Sequence, residues 1–374
     1  MKYLDVVVEN KSRHTDSFFT YRAPDETELR IGDKVWVPFG RGDKTKAGFV
    51  FAFPEHISCP EQKIKEIEGV DAAGSLNREM MKTAAWMKQR YAITYSDAIS
   101  CFCVKGKPPR EGKAKEPYKD LPGRDERPAA LTEEQTASVE RINEAIAASR
   151  HEIFLLHGVT ASGKTEVYME AIDKCLKLDK TAIMLVPEIA LTNQIMEHFI
   201  GRFGKDRLAV MHSKLTPRER YDEWHRIRSG RARIVIGARM GVFAPAENIG
   251  LIIMDEEHEA TYKSDMTPKY DTVEVAAKRL QTTGGVLLLG SATPSVVSYE
   301  RAKEGIYQLL TLKQRYNRNP LPRVEIVDMR EELRAGNMNI FSRRLYTAIE
   351  ETLKKEQQVI LFQNRRGYSN FVSC

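Results

Sequence analysis

Residues 152–165 read EIFLLHGVTASGKT. An apolar run that can form a buried strand passes into GVTASGKT, which fits the pattern GxxxxGK[ST], and then into EVYMEAIDKCL at 166–176, which is helix-forming. A loop that wraps an anion needs this order of parts. Glycines at 158 and 163 let backbone N–H groups close round phosphate, Lys164 reaches the β and γ phosphates, and the Thr165 hydroxyl can hold Mg²⁺. The bland alternative, a glycine turn with a surface lysine, does not require the flanking strand and helix. A phosphate-binding loop therefore anchors the reading.

Downstream, LIIMDEEHEA at 251–260 places Asp255 and Glu256 at the carboxyl end of an apolar strand, where ligands sit in open α/β sheets. There an aspartate can hold Mg²⁺ and the next carboxylate can orient or deprotonate water. Alone, the acidic run also reads as a solvated turn. With the phosphate loop it implies a Mg²⁺-dependent nucleoside triphosphatase. Around these two motifs, apolar strands at 152–158, 181–188, 208–212, 232–237, 251–256 and 285–291 alternate with helical runs at 133–147, 166–177, 190–201 and 217–229. Strands apolar on both faces between amphipathic helices predict an α/β lobe with a mostly parallel sheet.

The rest of the chain is organised differently. Residues 1–72 hold short strand-like segments at 3–10, 18–23, 34–40, 47–53 and 63–70, the pattern of a small barrel-like β unit, and a helix or helix pair over 79–99 closes it. Residues 105–130 are proline-rich, charged and without apolar periodicity, and so read as a linker. The reading is multidomain: a β-rich unit over 1–104, a linker over 105–130, an α/β lobe over 131–323 and a further piece over 324–374. Among 374 residues, 42% are hydrophobic and 29% charged, and no apolar run approaches the roughly 20 residues that span a bilayer. A formal net charge of +6 permits a nucleic-acid partner without demanding one. Cysteines at 59, 101, 103, 175 and 374 lack paired spacing, which fits a reduced cytoplasmic protein, and the CxC at 101–103 is a poor metal site.

Three more segments set polar loops directly after apolar strands: LVPEIALTNQ at 185–194, IGARMGVFAP at 236–245 and LLGSATPS at 288–295. Together with GVTASGKT and DEEH they resemble the motifs of superfamily 2 helicases, closest to the primosomal, replication restart family. The resemblance implies a RecA-like first motor lobe that uses ATP and Mg²⁺, with Lys164, Asp255 and Glu256 catalytic and Thr165 and Asp255 on the metal. It also implies that Gln135 contacts adenine, that Arg239 meets DNA, and that Ser291 and Thr293 couple nucleotide state to DNA. Without the family, Thr132 with Gln135 is an ordinary capping box, and SAT is a helix cap. EATYKSDMTPKYDTVEVA at 259–276 resembles an aromatic loop sensing single-stranded DNA, with Tyr262 and Tyr270 stacking on bases and Lys263 and Lys269 on phosphate. In the β unit, the resemblance implies a pocket for a DNA 3′ end lined by Phe19, Thr20, Gly40 and Lys65; read without it, Phe19 is core and Lys65 is surface.

Departures from the family pattern carry their own expectations. Ala161 stands where a glycine is usual and is compatible with nucleotide if its φ is negative. Thr20 stands for an aspartate, so a terminal hydroxyl would meet a neutral group, and Val273 stands in the stretch where an arginine is usual. The family's winged-helix domain has no room in 105–130. Its second lobe opens here at 324–330, continues through a helix over 342–356 and a strand before NRRG, and reaches only the first cysteine, Cys374, of its zinc-binding series. One thiolate cannot complete a structural zinc site, and slow turnover is expected without the second lobe's arginine. The family further implies forked or single-stranded DNA, primosome components and single-stranded-DNA-binding proteins as partners, and a 3′ to 5′ DNA helicase activity. The alternatives are a fork-DNA-binding or scaffold protein that only binds nucleotide, and a restriction-type or RNA helicase-like motor, which would lack the β unit.

Overall fold

The structure, a computed structural model, describes residues 2–104 apart from 11, 41 and 58, residues 117–187 apart from 119 and 126, residues 193–315, and residues 322–362. Most of the expected linker, the middle of VPEIALTNQ, and the segment from NRRG to Cys374 lie outside the described residues. The chain divides into a unit of residues 1–318 and a unit of residues 319–374.

The larger unit opens with β1 (Lys2–Val8), β2 (Phe19–Ala23), β3 (Lys34–Phe39), β4 (Lys44–Ala52), β5 (Lys65–Glu66) and β6 (Gly69–Asp71), in the sheet order β5-β2-β1-β4-β3-β6. The fifth expected strand is thus two short ones at opposite edges, and the chain between them donates Ile67 N–H to Arg22 O and Glu68 N–H to Trp36 O. That crossing draws the edges together into a barrel-like form. Leu4, Val6, Val8, Tyr21, Val35, Val37 and Val50 alternate inward to fill it.

Two helices follow, α1 (Arg78–Tyr91) and α2 (Tyr95–Ser100). Asn77 caps the first by accepting from Met80 N–H, and Thr94 and Asp97 form a capping box on the second. Met80, Ala84 and Met87 fall on one face of α1. They share one apolar cluster with Val7 and Phe49 of the β sheet and with Leu155, Ile183 and Ile252 of the parallel sheet. The pair therefore closes the β unit and joins it to the α/β lobe through a shared core.

That lobe runs α3 (Glu133–Ala147), β7 (Ile153–Gly158), α4 (Lys164–Lys177), β8 (Thr181–Leu185), α5 (Asn193–Phe203), β9 (Leu208–Met211), α6 (Pro217–Arg228), β10 (Ile234–Gly237), β11 (Ile249–Asp255), α7 (Thr272–Thr283), β12 (Val286–Ser291), α8 (Val296–Lys303) and β13 (Gln308–Leu312). The seven strands pair in parallel in the order β13-β7-β12-β11-β8-β10-β9. Alternate residues serve opposite faces: Leu155 and Ile252 belong to one apolar cluster, and Phe154, Leu156 and Ile253 to the other. Burial on both faces explains the uninterrupted apolar runs. Because every strand points the same way, the phosphate loop, DEEH and SAT emerge at one edge of the sheet.

In the smaller unit, α9 (Met329–Arg334) and α10 (Arg343–Lys354) form, whereas 358–362 is not a strand. A strand is held by ladder bonds to a neighbour, and among the described residues this unit contains none. Ile360 and Phe362 are correspondingly exposed. No helix among the described residues is long and apolar enough to cross a membrane.

Candidate nucleotide site and DNA-end pocket

β7 delivers the chain to Gly158, and α4 starts at Lys164 behind Gly163, whose φ is +79°. A Cβ on Gly158 would lie 2.5 Å from Ser162 Oγ, and one on Gly163 would lie 2.2 Å from Gln135 Nε2. A side chain at either glycine would displace a residue of the loop or its brace, and at Gly163 the left-handed backbone also favours glycine. Gln135 is buried; its Oε1 accepts from Thr132 N–H (2.8 Å) and its Nε2 donates to Ser162 O (2.9 Å). It completes the cap of α3 and braces the phosphate loop at once, so the capping role and a site role coexist. Lys164 Nζ donates to Gly158 O at 3.0 Å, which folds the ammonium across the loop.

The buried Ser162 Oγ has no hydrogen-bond partner among the described residues. An orphan buried hydroxyl just ahead of the start of α4 suits an anion, and these residues fit the phosphates of a nucleotide. Ala161 departs from expectation: its φ is +63°, in the left-handed region. The loop holds the alanine in the glycine conformation. Beside it, a cavity of about 570 Å³ is lined by Gln135, Ala161, Gly163, Thr165, Met169 and Phe199.

Asp255 ends β11 under Tyr168, whose hydroxyl donates to Asp255 Oδ1 at 2.9 Å. Burial pushes the Asp255 carboxyl up, while the Tyr168 bond and the Lys164 charge pull it down; burial dominates. Tyr168 is itself raised by burial and by Asp255. Gly290 makes this contact possible, since a Cβ there would fall 1.7 Å from the tyrosine oxygen. Glu256 has φ +48°, a strained backbone of the kind that clusters at functional sites.

His258 Nδ1 lies 3.6 Å from Glu256 Oε2 and 2.8 Å from Ser291 Oγ, and that hydroxyl also accepts from Thr293 N–H at 2.9 Å. DEEH and SAT are therefore hydrogen-bonded to each other. Glu257 adds a second tie that sequence reasoning missed: it accepts from Ser295 N–H (2.6 Å) and from Ser298 Oγ (2.9 Å) at the start of α8. Ser295 caps that helix. Ser291 and Thr293 precede the cap, so their helix-cap reading does not hold.

Arg239, after β10, donates through Nη1 to Thr261 O (3.1 Å) and Lys263 O (2.5 Å) and lies 5.8 Å from the Tyr270 ring centre. Tyr262 and Tyr270 are buried. The Tyr262 hydroxyl donates to Leu185 O (3.0 Å) and Asp255 O (2.7 Å), and Tyr270 meets Phe243 edge-on at 4.9 Å. Neither ring offers a free face to a base here, which runs against the stacking expectation, because each phenol is fixed in the lobe's packing. Lys263 and Lys269 remain exposed. DTVEV begins α7 rather than extending the loop, and Val273 packs against the core.

The four residues expected at a DNA end are gathered. Phe19, Thr20, Gly40 and Lys65 line one cavity of about 450 Å³ together with Phe39 and Lys63. Phe19 and Phe39 meet edge-on at 5.0 Å, and Lys65 is ion-paired with Asp43. Gly40 has φ +84°, so a side chain there would be strained, and apart from its chain neighbours no other described residue lies within 4 Å of a built Cβ. Thr20 Oγ1 lies 2.8 Å from Asp5 Oδ1 on the adjacent strand.

Residues 5–103 match the family described as the PriA 3′DNA-binding domain (3′BD), and residues 132–302 match the DEAD/DEAH box helicase family. The chain is 49% identical over 283 residues to a replication restart protein PriA of Bacillus subtilis (strain 168), covering 75% of this chain and 35% of that protein. It is 36% identical over 369 residues to that of Treponema pallidum (strain Nichols), covering 96% and 54%. The chain is a homologue of PriA replication restart proteins.

It spans about half or less of the length of the PriA relatives it matches. Within the PriA-like architecture, sequence reasoning had a signal for Tyr168, which lies one helical turn after Lys164 and so on the same face of α4. For Asp5 the signal needed the strand register, which sets it opposite Thr20. Nothing local marked Glu257 as the acceptor at the start of α8.

Proposed function

We propose that this chain is the DNA-end-binding and nucleotide-binding part of an ATP-dependent 3′ to 5′ DNA helicase that acts in primosome assembly and restart of stalled forks. Residues 1–104 form the DNA-end unit, 105–130 the linker, 131–323 the first motor lobe and 324–374 the start of the second. The observation that carries the reading is the meeting of Lys164, Asp255 and Ser291 at one edge of the parallel sheet, in a chain that also assembles the Phe19, Thr20, Gly40 and Lys65 cavity. Lys164 and the N–H groups at the start of α4 bind phosphate, Thr165 and Asp255 hold Mg²⁺, Gln135 meets adenine, and Glu256 orients water. When bound, the metal nucleotide supplies phosphoryl-transfer energy; the DEEH to SAT contacts transmit its state. Arg239, Lys263 and Lys269 face the strand being tracked. Forked and single-stranded DNA, primosome components and single-stranded-DNA-binding proteins are the partners, in the cytoplasm.

Nucleotide hydrolysis by the parent and by Glu256→Gln, each with and without forked DNA, tests this. Hydrolysis by the parent, however slow, should disappear in the variant while nucleotide binding persists. Nucleotide binding with no hydrolysis in the parent would favour a scaffold protein that binds fork DNA without turnover.

A further inference from the structure

Thr20 and Asp5 face each other across the β1–β2 ladder, with Thr20 Oγ1 2.8 Å from Asp5 Oδ1. A carboxylate only accepts hydrogen bonds, so in this contact the hydroxyl must be the donor. Its single proton is then committed, and what Thr20 Oγ1 has left is lone pairs. A threonine hydroxyl rotates freely to give or to take; held by Asp5, it can only take. The cavity that Thr20 lines is cationic at Lys63 and Lys65, yet Lys65 is already paired with Asp43. Thr20 Oγ1 is therefore left as an acceptor, backed by the negative charge of Asp5.

We propose that Asp5 is a positioning residue for DNA 3′ ends: it fixes the Thr20 hydroxyl as an acceptor, so that a terminal 3′-hydroxyl donates to Thr20 Oγ1 while a 3′-phosphate is rejected. This rests on the reading of the cavity as a 3′-end pocket. It also revises the expectation of a neutral group at Thr20, since the carboxylate is present one strand away and acts through the hydroxyl. In the chain 3′-OH to Thr20 to Asp5, each proton stays on its own oxygen and the bonds polarise one another.

The test uses the full chain and recessed DNA junctions ending in 3′-hydroxyl, 3′-deoxy or 3′-phosphate, with affinities read by fluorescence anisotropy at one fixed salt concentration. The parent should prefer the hydroxyl end over both others. Asp5→Asn should narrow those two preferences by about tenfold, because the amide can give Thr20 a proton and carries no charge. Thr20→Val should narrow the hydroxyl-over-deoxy preference in the same way. Asp5→Asn combined with Thr20→Asp should restore both preferences by moving the carboxylate across the ladder. A purely structural Asp5 would weaken binding of all three ends by one factor; that result, or unchanged preferences in Asp5→Asn, overturns the proposal while leaving the pocket intact. A parent that binds all three ends equally overturns the 3′-end reading itself, and this proposal with it.

Discussion

Arg279 of α7 and Glu79 of α1 form a two-pronged pair, Nε to Oε1 at 3.0 Å and Nη2 to Oε2 at 2.8 Å, with the arginine side chain fully buried. The remaining nitrogen donates to Val242 O (2.6 Å) and Ala244 O (2.9 Å), and the guanidinium lies 5.3 Å from the Phe102 ring centre. One side chain thus ties the helix that closes the β unit to the α/β lobe and to the segment just after Arg239. Trp224 Nε1–H donating to Phe102 O (2.8 Å) and Arg90 pairing with Glu274 add to the same seam.

Arg279→Met should destabilise the chain by about 3 kcal/mol, because it leaves the largely buried Glu79 carboxylate without its cation, holding only the Thr83 hydroxyl. Adding Glu79→Leu should recover only part of the loss, since the Val242 and Ala244 carbonyls still lack their donor. Urea denaturation of the two variants and the parent measures this. A loss within about 0.5 kcal/mol for Arg279→Met, the range of an ordinary surface substitution, would contradict the buried-pair account.

The α/β lobe was largely legible because its signals are local: a strand, loop and helix around Lys164, and apolar runs ending in Asp255 and Ser291. β13 was not, because QLLTL is an edge strand whose partner, β7, lies some 150 residues earlier in the chain. α7 was hidden by the aromatic text before it, and Arg279 by the rule that arginines belong outside. Tyr262 and Tyr270 show the same limit. A tyrosine spacing suits base stacking or a buried phenol equally, and only the positions of Leu185 O and Asp255 O decide for Tyr262.

The left-handed backbone at Ala161 should cost about 1 kcal/mol relative to glycine. Ala161→Gly is expected to keep nucleotide binding and to raise the urea midpoint. Ala161→Val, with a branched side chain in that conformation, should lower it and weaken nucleotide affinity. A midpoint that falls in Ala161→Gly would mean that the loop does not hold this residue at positive φ.

Burial raises the Asp255 carboxyl, and the Tyr168 hydroxyl opposes that rise. The sign follows: if Asp255 holds Mg²⁺, which needs the ionised form, the Mg²⁺-dependent part of nucleotide affinity should be lost as pH falls through the raised pKa, at higher pH than for an ordinary aspartate. Tyr168→Phe removes the opposing bond and should move that loss to still higher pH. Nucleotide titrations with and without Mg²⁺ over a pH series measure it, and an unmoved profile in the variant would remove Tyr168 from any part in metal binding.

Calorimetric titration of ATP with Mg²⁺ into the parent and into Lys164→Ala tests the nucleotide site most directly. The parent should show saturable binding at one site, and the variant, folded by circular dichroism, should bind at least about tenfold more weakly because the charge facing the β and γ phosphates is gone. Equal affinity in the two proteins would contradict the assignment of this edge of the sheet as a nucleotide site.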